Sequence, residues 1–285
     1  MALVSIALGW VMAGRALRPV RTMGLRARGI SERNLHQRLA LEGPNDELKE
    51  LGDTFDGLLA RLESAFESQR RFVANASHEL RTPITVERTL VEVALADPGA
   101  GVDSLRATCE RVLAASEQQE QLIEALLTLA RSQRGLDARE ELDLGEIAGD
   151  ALQGVAPNGV RVESTLGEAR TTGDPALVER LVANLVDNAL HYNVPSGWIQ
   201  AWTGVRDGTP TLRVANSGPV IPPERAASLI EPFRRLDGDR NGHHHGLGLG
   251  LSIVDAIAVA HGAELHAAPR AGGGLEVEVR FPTSI

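Results

Sequence analysis

A single cysteine, Cys109, stands among the 285 residues. It excludes an internal disulfide and a cysteine-rich metal site, and it suits a reducing compartment. Aromatic residues are scarce, 3% of the chain, so the 43% of hydrophobic residues must build their core from Leu, Val, Ala and Ile, a composition that favours helices. Positive charge is also in deficit, with a net charge of −9 and an isoelectric point near 5.4. Nucleic-acid binding needs a basic face, so direct DNA binding is not expected. An apolar run long enough to cross a bilayer is missing too. Residues 1–14, MALVSIALGWVMAG, carry no charge, but as a helix they span roughly 21 Å against a hydrocarbon core of roughly 30 Å. Arg15, Arg18, Arg21, Arg26 and Arg28 follow. This order reads as the cytoplasmic end of a membrane helix with its basic cluster inside, the remainder of the helix being missing. No basic region precedes the apolar run, which argues against a secretory signal.

What the chain has in quantity is helical periodicity. Phe55, Leu59, Leu62, Phe66, Val73, Ala76 and Leu80 alternate steps of four and three, with Gln69 interrupting, which is a heptad seam. The helix is expected to run on to about Ala96, where Asp97, Pro98, Gly99 and Gly101 make a turn. A second helix is expected from about Asp103 to Ser132, with Cys109, Val112, Ser116, Gln119, Ile123, Leu126 and Ala130 on its buried stripe; this places Cys109 in the core. Two antiparallel helices cannot hide both stripes alone, and a dimer burying four helices can. His78 lies two residues from Leu80 and so points away from the seam. Thr82 shares its face, Glu79 flanks it within hydrogen-bonding reach, and Pro83 predicts a bend or loosened helix just beyond.

The run S-H-E-L-R-T-P around His78 resembles the phosphoacceptor box of sensor histidine kinases of two-component signalling systems. The resemblance implies that His78 takes the γ-phosphoryl group of ATP, that Glu79 acts as its base, and that Thr82 orients water to dephosphorylate the partner, an aspartate-bearing response regulator receiver domain. Upstream, helical patterns near 17–31 and 46–65 flank a connector with Gly43 and Pro44. With Pro19 and the opening D-E-L-K-E-L-G-D-T-F, they resemble a HAMP relay domain; a plain coiled coil is the alternative reading.

Beyond the polar stretch 132–141 the rhythm changes. Strand-like pieces at 160–164, 198–203, 211–214 and 275–281 alternate with helical patterns near 144–153, 175–192 and 249–261, predicting a sheet with helices on one face. On the helix from Pro175 to Tyr192, Asn184, Asn188 and His191 share one strip beside the buried Leu177, Leu181, Val182, Leu185 and Leu190. An Asn oxygen can ligate Mg²⁺, and Asn188 and His191 can bond phosphate oxygens. This segment, Tyr192 included, resembles the asparagine box of histidine kinases and related ATPases, with His191 at the lysine position. Residues 214–222, VANSGPVIP, resemble the adenine-reading motif, with Gly218 kept but Asn216 in place of aspartate and Val220 in place of glycine. Asn216 still offers an acceptor, poorer than a carboxylate, and Val220 bears on how closely the backbone approaches a nucleotide. Phe233 in EPFRRL resembles the phenylalanine that supports the loop over the nucleotide. Gly246, Gly248 and Gly250 in GLGLGL free the backbone ahead of a helix whose first amides can meet phosphate. No Gly-Lys-Ser/Thr follows, so this is not a Walker loop. The consecutive His243, His244 and His245 lack helical ligand spacing and read as a solvated lid tip, not a metal site.

Together these resemblances imply a multidomain chain: 1–14 as the end of a transmembrane helix, 15–65 as an all-α HAMP relay, 66–134 as half of a dimeric four-helix bundle, and 135–285 as an α/β sandwich that binds ATP and Mg²⁺. They imply a homodimeric kinase anchored in the cytoplasmic membrane, with its extracytoplasmic sensing part outside this sequence. An ATPase of the same nucleotide fold, doing conformational work, and a non-catalytic signalling scaffold stay open as alternatives.

Overall fold

The computed structural model describes residues 34–40, 47–136, 139–153, 159–234 and 247–283, with the isolated positions 2, 3, 6 and 10. The expected helix at 17–31 and the histidine-bearing lid tip lie outside the described residues, as does most of the apolar run at 1–14. The chain divides into two units, Met1–His78 and Glu79–Ile285.

The heptad seam forms a single helix, α1 (Glu47–Ala96), which carries Pro83 within it and runs on to Ala96. In the first unit, residues 34–40 pack against this helix through the buried Leu35 and Leu39. The Asp56 carboxylate accepts from the backbone N–H groups of Leu39 (2.6 Å) and Ala40 (3.0 Å), and Arg38 pairs with Glu63. The turn after α1 is built as its residues suggest, Asp97 Oδ1 accepting from the Gly99 N–H. Helix α2 (Val102–Ser132) follows.

The stripe expected to be buried on α2 is not covered within one chain. Cys109, read as core from its place on that stripe, is exposed within a single chain. Ile123 is 47% exposed, and the neighbouring Leu113 and Leu127 are 60% and 55% exposed. The buried residues of α2 are Leu122, Ala125, Leu129 and Ser132 on an adjacent strip. At the polar break in the stripe, Ser116 Oγ and Gln119 Nε2 both donate to Glu87 Oε1 of α1 (3.2 and 3.4 Å).

The rest is an α/β sandwich: β1 (Glu140–Asp143), α3 (Leu144–Gln153), β2 (Arg161–Leu166), β3 (Arg170–Gly173), α4 (Pro175–His191), β4 (Trp198–Arg206), β5 (Thr209–Asn216), the short α5 (Pro223–Ala226), α6 (Gly250–His261), β6 (Glu264–Pro269) and β7 (Leu275–Arg280). The main sheet has the order β2-β4-β5-β7-β6, with only β2 and β4 parallel; β1 and β3 pair separately. Asp207-Gly208, both at positive φ, turns β4 into β5. Ile199, Ala201, Leu212, Val214, Val277 and Val279 form the buried core of the sheet. The register aligns Trp202, Arg213, Glu278 and His266 in a row on the opposite face, with the Arg213 guanidinium over the Trp202 ring. Helices α3, α4 and α6 cover the apolar side, and α2 packs against α6.

Candidate active site

The central helix of the site, α4, begins with Asp174 as N-cap, its carboxylate accepting from the Leu177 N–H, and with Pro175 in the first turn. Leu177, Val178, Leu181, Val182, Leu185, Val186 and Ala189 are buried, which turns Arg180, Asn184, Asp187, Asn188 and His191 toward an open cleft. At its far end α4 is pinned by a polar corner. Asn193 Nδ2 donates to the Ala189 and Trp198 carbonyls, and Ser217 Oγ donates to Asn193 Oδ1 (2.6 Å) while accepting from the Trp198 N–H.

Two connected hollows lie beside α4. The inner one is lined by Leu185, Ala189, Val214, Ile221, Leu251 and Leu275, with Asn216 at its polar edge. The outer cleft, about 760 Å³, falls within the range of ligand sites and has Asn184, Asn188 and His191 on one wall and residues 247–250 on another. Asn188, Tyr192, Gly248 and Gly250 border both. An apolar slot leading into a cleft lined by polar side chains suits a base joined to phosphates.

The glycines at this junction are required by space. A Cβ on Gly250 would run into the Asn188 amide, at 2.7 Å from its Oδ1. Gly248 has φ +68° and faces the Phe233 backbone. Phe233, itself at φ +64°, supports the loop through its main chain, its N–H donating to the Gly248 carbonyl at 2.8 Å. Gly218 and Gly274 press backbone to backbone below Asn216, and a Cβ on Gly274 would overlap the Asn216 carbonyl oxygen. Gly246 lies outside the described residues.

Asn216 is 7% exposed, and its Nδ2 donates to the Ser217 carbonyl at 2.8 Å. That bond fixes the amide, leaving Oδ1 as the acceptor offered to a ligand. Val220 is 76% exposed, and the pocket is lined by its neighbours Pro219 and Ile221 instead, so the valine side chain does not narrow the slot. Asn184 Nδ2 donates to the Arg180 carbonyl (2.7 Å), which likewise leaves its Oδ1 as an acceptor. Asn188 Nδ2 is buried without a hydrogen-bond partner, as expected of a donor that meets an anionic ligand. Among the described residues no group of three or more His, Cys, Asp or Glu could hold a metal. Burial raises the Asp187 carboxyl above its usual pKa, an effect that the Arg180 and His191 charges oppose.

His78 is exposed on α1, Glu79 is half-buried and Thr82 is exposed. Missed at the sequence level were Arg180, Asn193, Leu275 and the Gly272–Gly274 turn; of these, only the glycine run was a visible signal.

Residues 173–285 match the family described as "Histidine kinase-, DNA gyrase B-, and HSP90-like ATPase", residues 68–135 the "His Kinase A (phospho-acceptor) domain", and residues 11–64 the HAMP domain. Sensor protein CutS of Streptomyces coelicolor is 47% identical over 99% of this chain and 69% of its own length. The chain belongs to the sensor histidine kinases. This kinase is also 31% identical to sensor histidine kinase YkoH of Bacillus subtilis, over 96% of this chain and 61% of the relative. The solved structure of Acinetobacter baumannii histidine kinase AdeS shares the fold, with a TM-score of 0.57 at 22% identity, over 73% of the kinase and 98% of that chain. The kinase is therefore an ATP-dependent histidine kinase of two-component signalling, with a helical segment followed by an α/β ATPase domain. Among its described residues no helix is long and apolar enough to cross a membrane.

Proposed function

We propose that His78 is the phosphoacceptor of this kinase and that the two hollows beside α4 bind ATP, its base in the inner slot against Asn216 and its phosphates in the outer cleft. The observation that carries this reading is the buried Nδ2 of Asn188, left without a partner in a residue that borders both hollows and packs against Gly250 of the glycine loop. His191 and the amides at the start of α6 add donors, and Asn184 Oδ1 would hold Mg²⁺. A bound Mg²⁺ screens the charge of the transferring group. One ring nitrogen of His78 attacks the γ-phosphorus in line as the bond from the γ-phosphorus to the β-bridging oxygen breaks and ADP leaves, and Glu79 accepts the proton from the other nitrogen. His78 then hands the phosphoryl group to an aspartate of a response regulator receiver domain, and Thr82 supports the reverse, regulator-phosphatase reaction.

The domains are 1–14, the end of a membrane helix; 15–65, the HAMP relay; 66–134, the phosphotransfer hairpin; and 135–285, the ATP-binding domain. Exposed Leu113, Ile123 and Leu127 support a homodimer in which a second copy completes the bundle. The uncharged start followed by arginines supports attachment to the cytoplasmic membrane.

The deciding experiment is transfer from γ-labelled ATP with Mg²⁺ to the purified chain beside His78→Gln. Acid-labile, alkali-stable label that disappears in the variant is expected. ATP hydrolysis without labelled protein would point to the ATPase reading, and absence of ATP binding to a scaffold.

A further inference from the structure

Among the described residues, the buried side-chain atoms left without a hydrogen-bond partner are Asn188 Nδ2 and Arg180 Nε. Both are donors, both are carried by α4, and both residues line the outer cleft. Each carries a desolvation cost that only an acceptor relieves. The wall of α4 is thus short of anionic oxygen at two places, and only one of them belongs to the asparagine strip that the sequence singles out. Arg180 stands one helical turn before Asn184, so it extends that strip.

The ionic partner of Arg180 comes from outside the ATPase fold. Glu124 of α2 lies 3.5 Å from the guanidinium, with its side chain 67% exposed and that of Arg180 39%. Such a long, half-solvated pair contributes little and exchanges readily. It also puts a carboxylate in the wall of a cleft whose other walls suit phosphate. Guanidinium prefers the bidentate geometry and higher charge of phosphate. No lysine follows Lys49 in the sequence, so fixed positive charge for phosphate in this cleft has to come from arginine.

We propose that Arg180 is a phosphate-positioning residue that changes partners: Glu124 of α2 holds it in the nucleotide-free chain, and the distal phosphates of ATP take it over, releasing α2 from the cleft. The proposal rests on the cleft being the ATP site. It makes nucleotide binding and the docking of α2 mutually opposed, with one guanidinium shared between them.

The test is equilibrium binding of ATP, ADP and adenosine, with Mg²⁺, to the full chain and to Arg180→Gln, Glu124→Gln and the double variant. Arg180→Gln is expected to weaken ATP about tenfold and leave adenosine unchanged, while Glu124→Gln tightens ATP by about threefold, the scale of a half-exposed charge pair. In the double variant the Glu124 substitution is expected to have no further effect. Unchanged ATP affinity in Arg180→Gln overturns the proposal. So does a loss that extends to adenosine, which would make Arg180 structural, or a Glu124 effect that persists without Arg180. A wild-type chain that binds no ATP would instead overturn the assignment of the site, and this inference with it.

Discussion

The backbone N–H of Asp174 donates to Nε2 of His261 at 3.0 Å, tying the start of α4 to the end of α6. Since Nε2 accepts, the ring proton sits on Nδ1, which donates to the Ile257 carbonyl at 2.8 Å. Both nitrogens are used by the neutral ring, and protonation would set two N–H groups against each other. The ring is 1% exposed and meets Phe281 edge to face.

Burial holds the His261 pKa below its ordinary value, against the raising effects of the Ile257 carbonyl and Asp174, with Arg139 adding a small lowering effect. As pH falls, the unfolded chain therefore binds this proton first. The stability contribution is full above about pH 6.5 and is lost as pH falls below it toward the folded value. Urea unfolding followed by Trp198 and Trp202 fluorescence should show a lower midpoint at pH 5.5 than at pH 7.5. In His261→Gln the midpoint should drop at pH 7.5 by an equivalent of about 1–3 kcal/mol, and the difference between the two pH values should shrink.

The glycine run 272–274 offers a matched pair of substitutions. Gly272 has open space where a Cβ would stand, whereas Gly274 has φ +90° and faces the Asn216 carbonyl. Gly272→Ala should bind ATP as the wild type does. Gly274→Ala should cost at least about 1–3 kcal/mol through forced backbone strain and displace Asn216, which thermal melts with and without ATP would register.

Asn216 is a trade between the empty and filled pocket. In Asn216→Asp an oxygen faces the Ser217 carbonyl where Nδ2 now donates. The ligand-free melting temperature should fall by a few degrees, while a charged acceptor strengthens the bond to an amino group on the base by about 1 kcal/mol. The expected outcome is a less stable chain with a larger ATP-induced rise in melting temperature. A smaller rise would refute the role of Asn216 as base acceptor.

Thr82→Ala should separate the two proposed reactions. Label should still accumulate on His78, while loss of phosphate from a labelled receiver domain should slow by about tenfold or more, in line with removal of one water-orienting group.

The elements with strong periodicity were legible in advance. The heptad seam gave α1 to its last residue, and the apolar side of α4 placed Asn184, Asn188 and His191 on the cleft. The strands β1, β3 and β6 were missed because EELD and RTTG are short and lack apolar alternation, and ELHAAP carries little β-branched character. On α2 the helix was legible but not its covering. It carries two adjacent apolar strips, and periodicity cannot say that Leu122, Ala125 and Leu129 are the ones buried inside the chain while Ile123 stays outside. Arg180 carried no local signal, since its importance depends on Glu124, far away in sequence.

The clasp between residues 34–40 and α1 sets a stop on mechanical displacement. Asp56 receives the amides of two successive residues, Leu39 and Ala40. Sliding α1 by one helical turn, about 5.4 Å, would bring Gly52 or Ala60 to its place, and neither has a side-chain oxygen to offer. A shift of four residues therefore loses the clasp, whereas a shift of three brings Asp53 to its place only if α1 also turns by about 60°, so a push transmitted here couples axial travel to rotation.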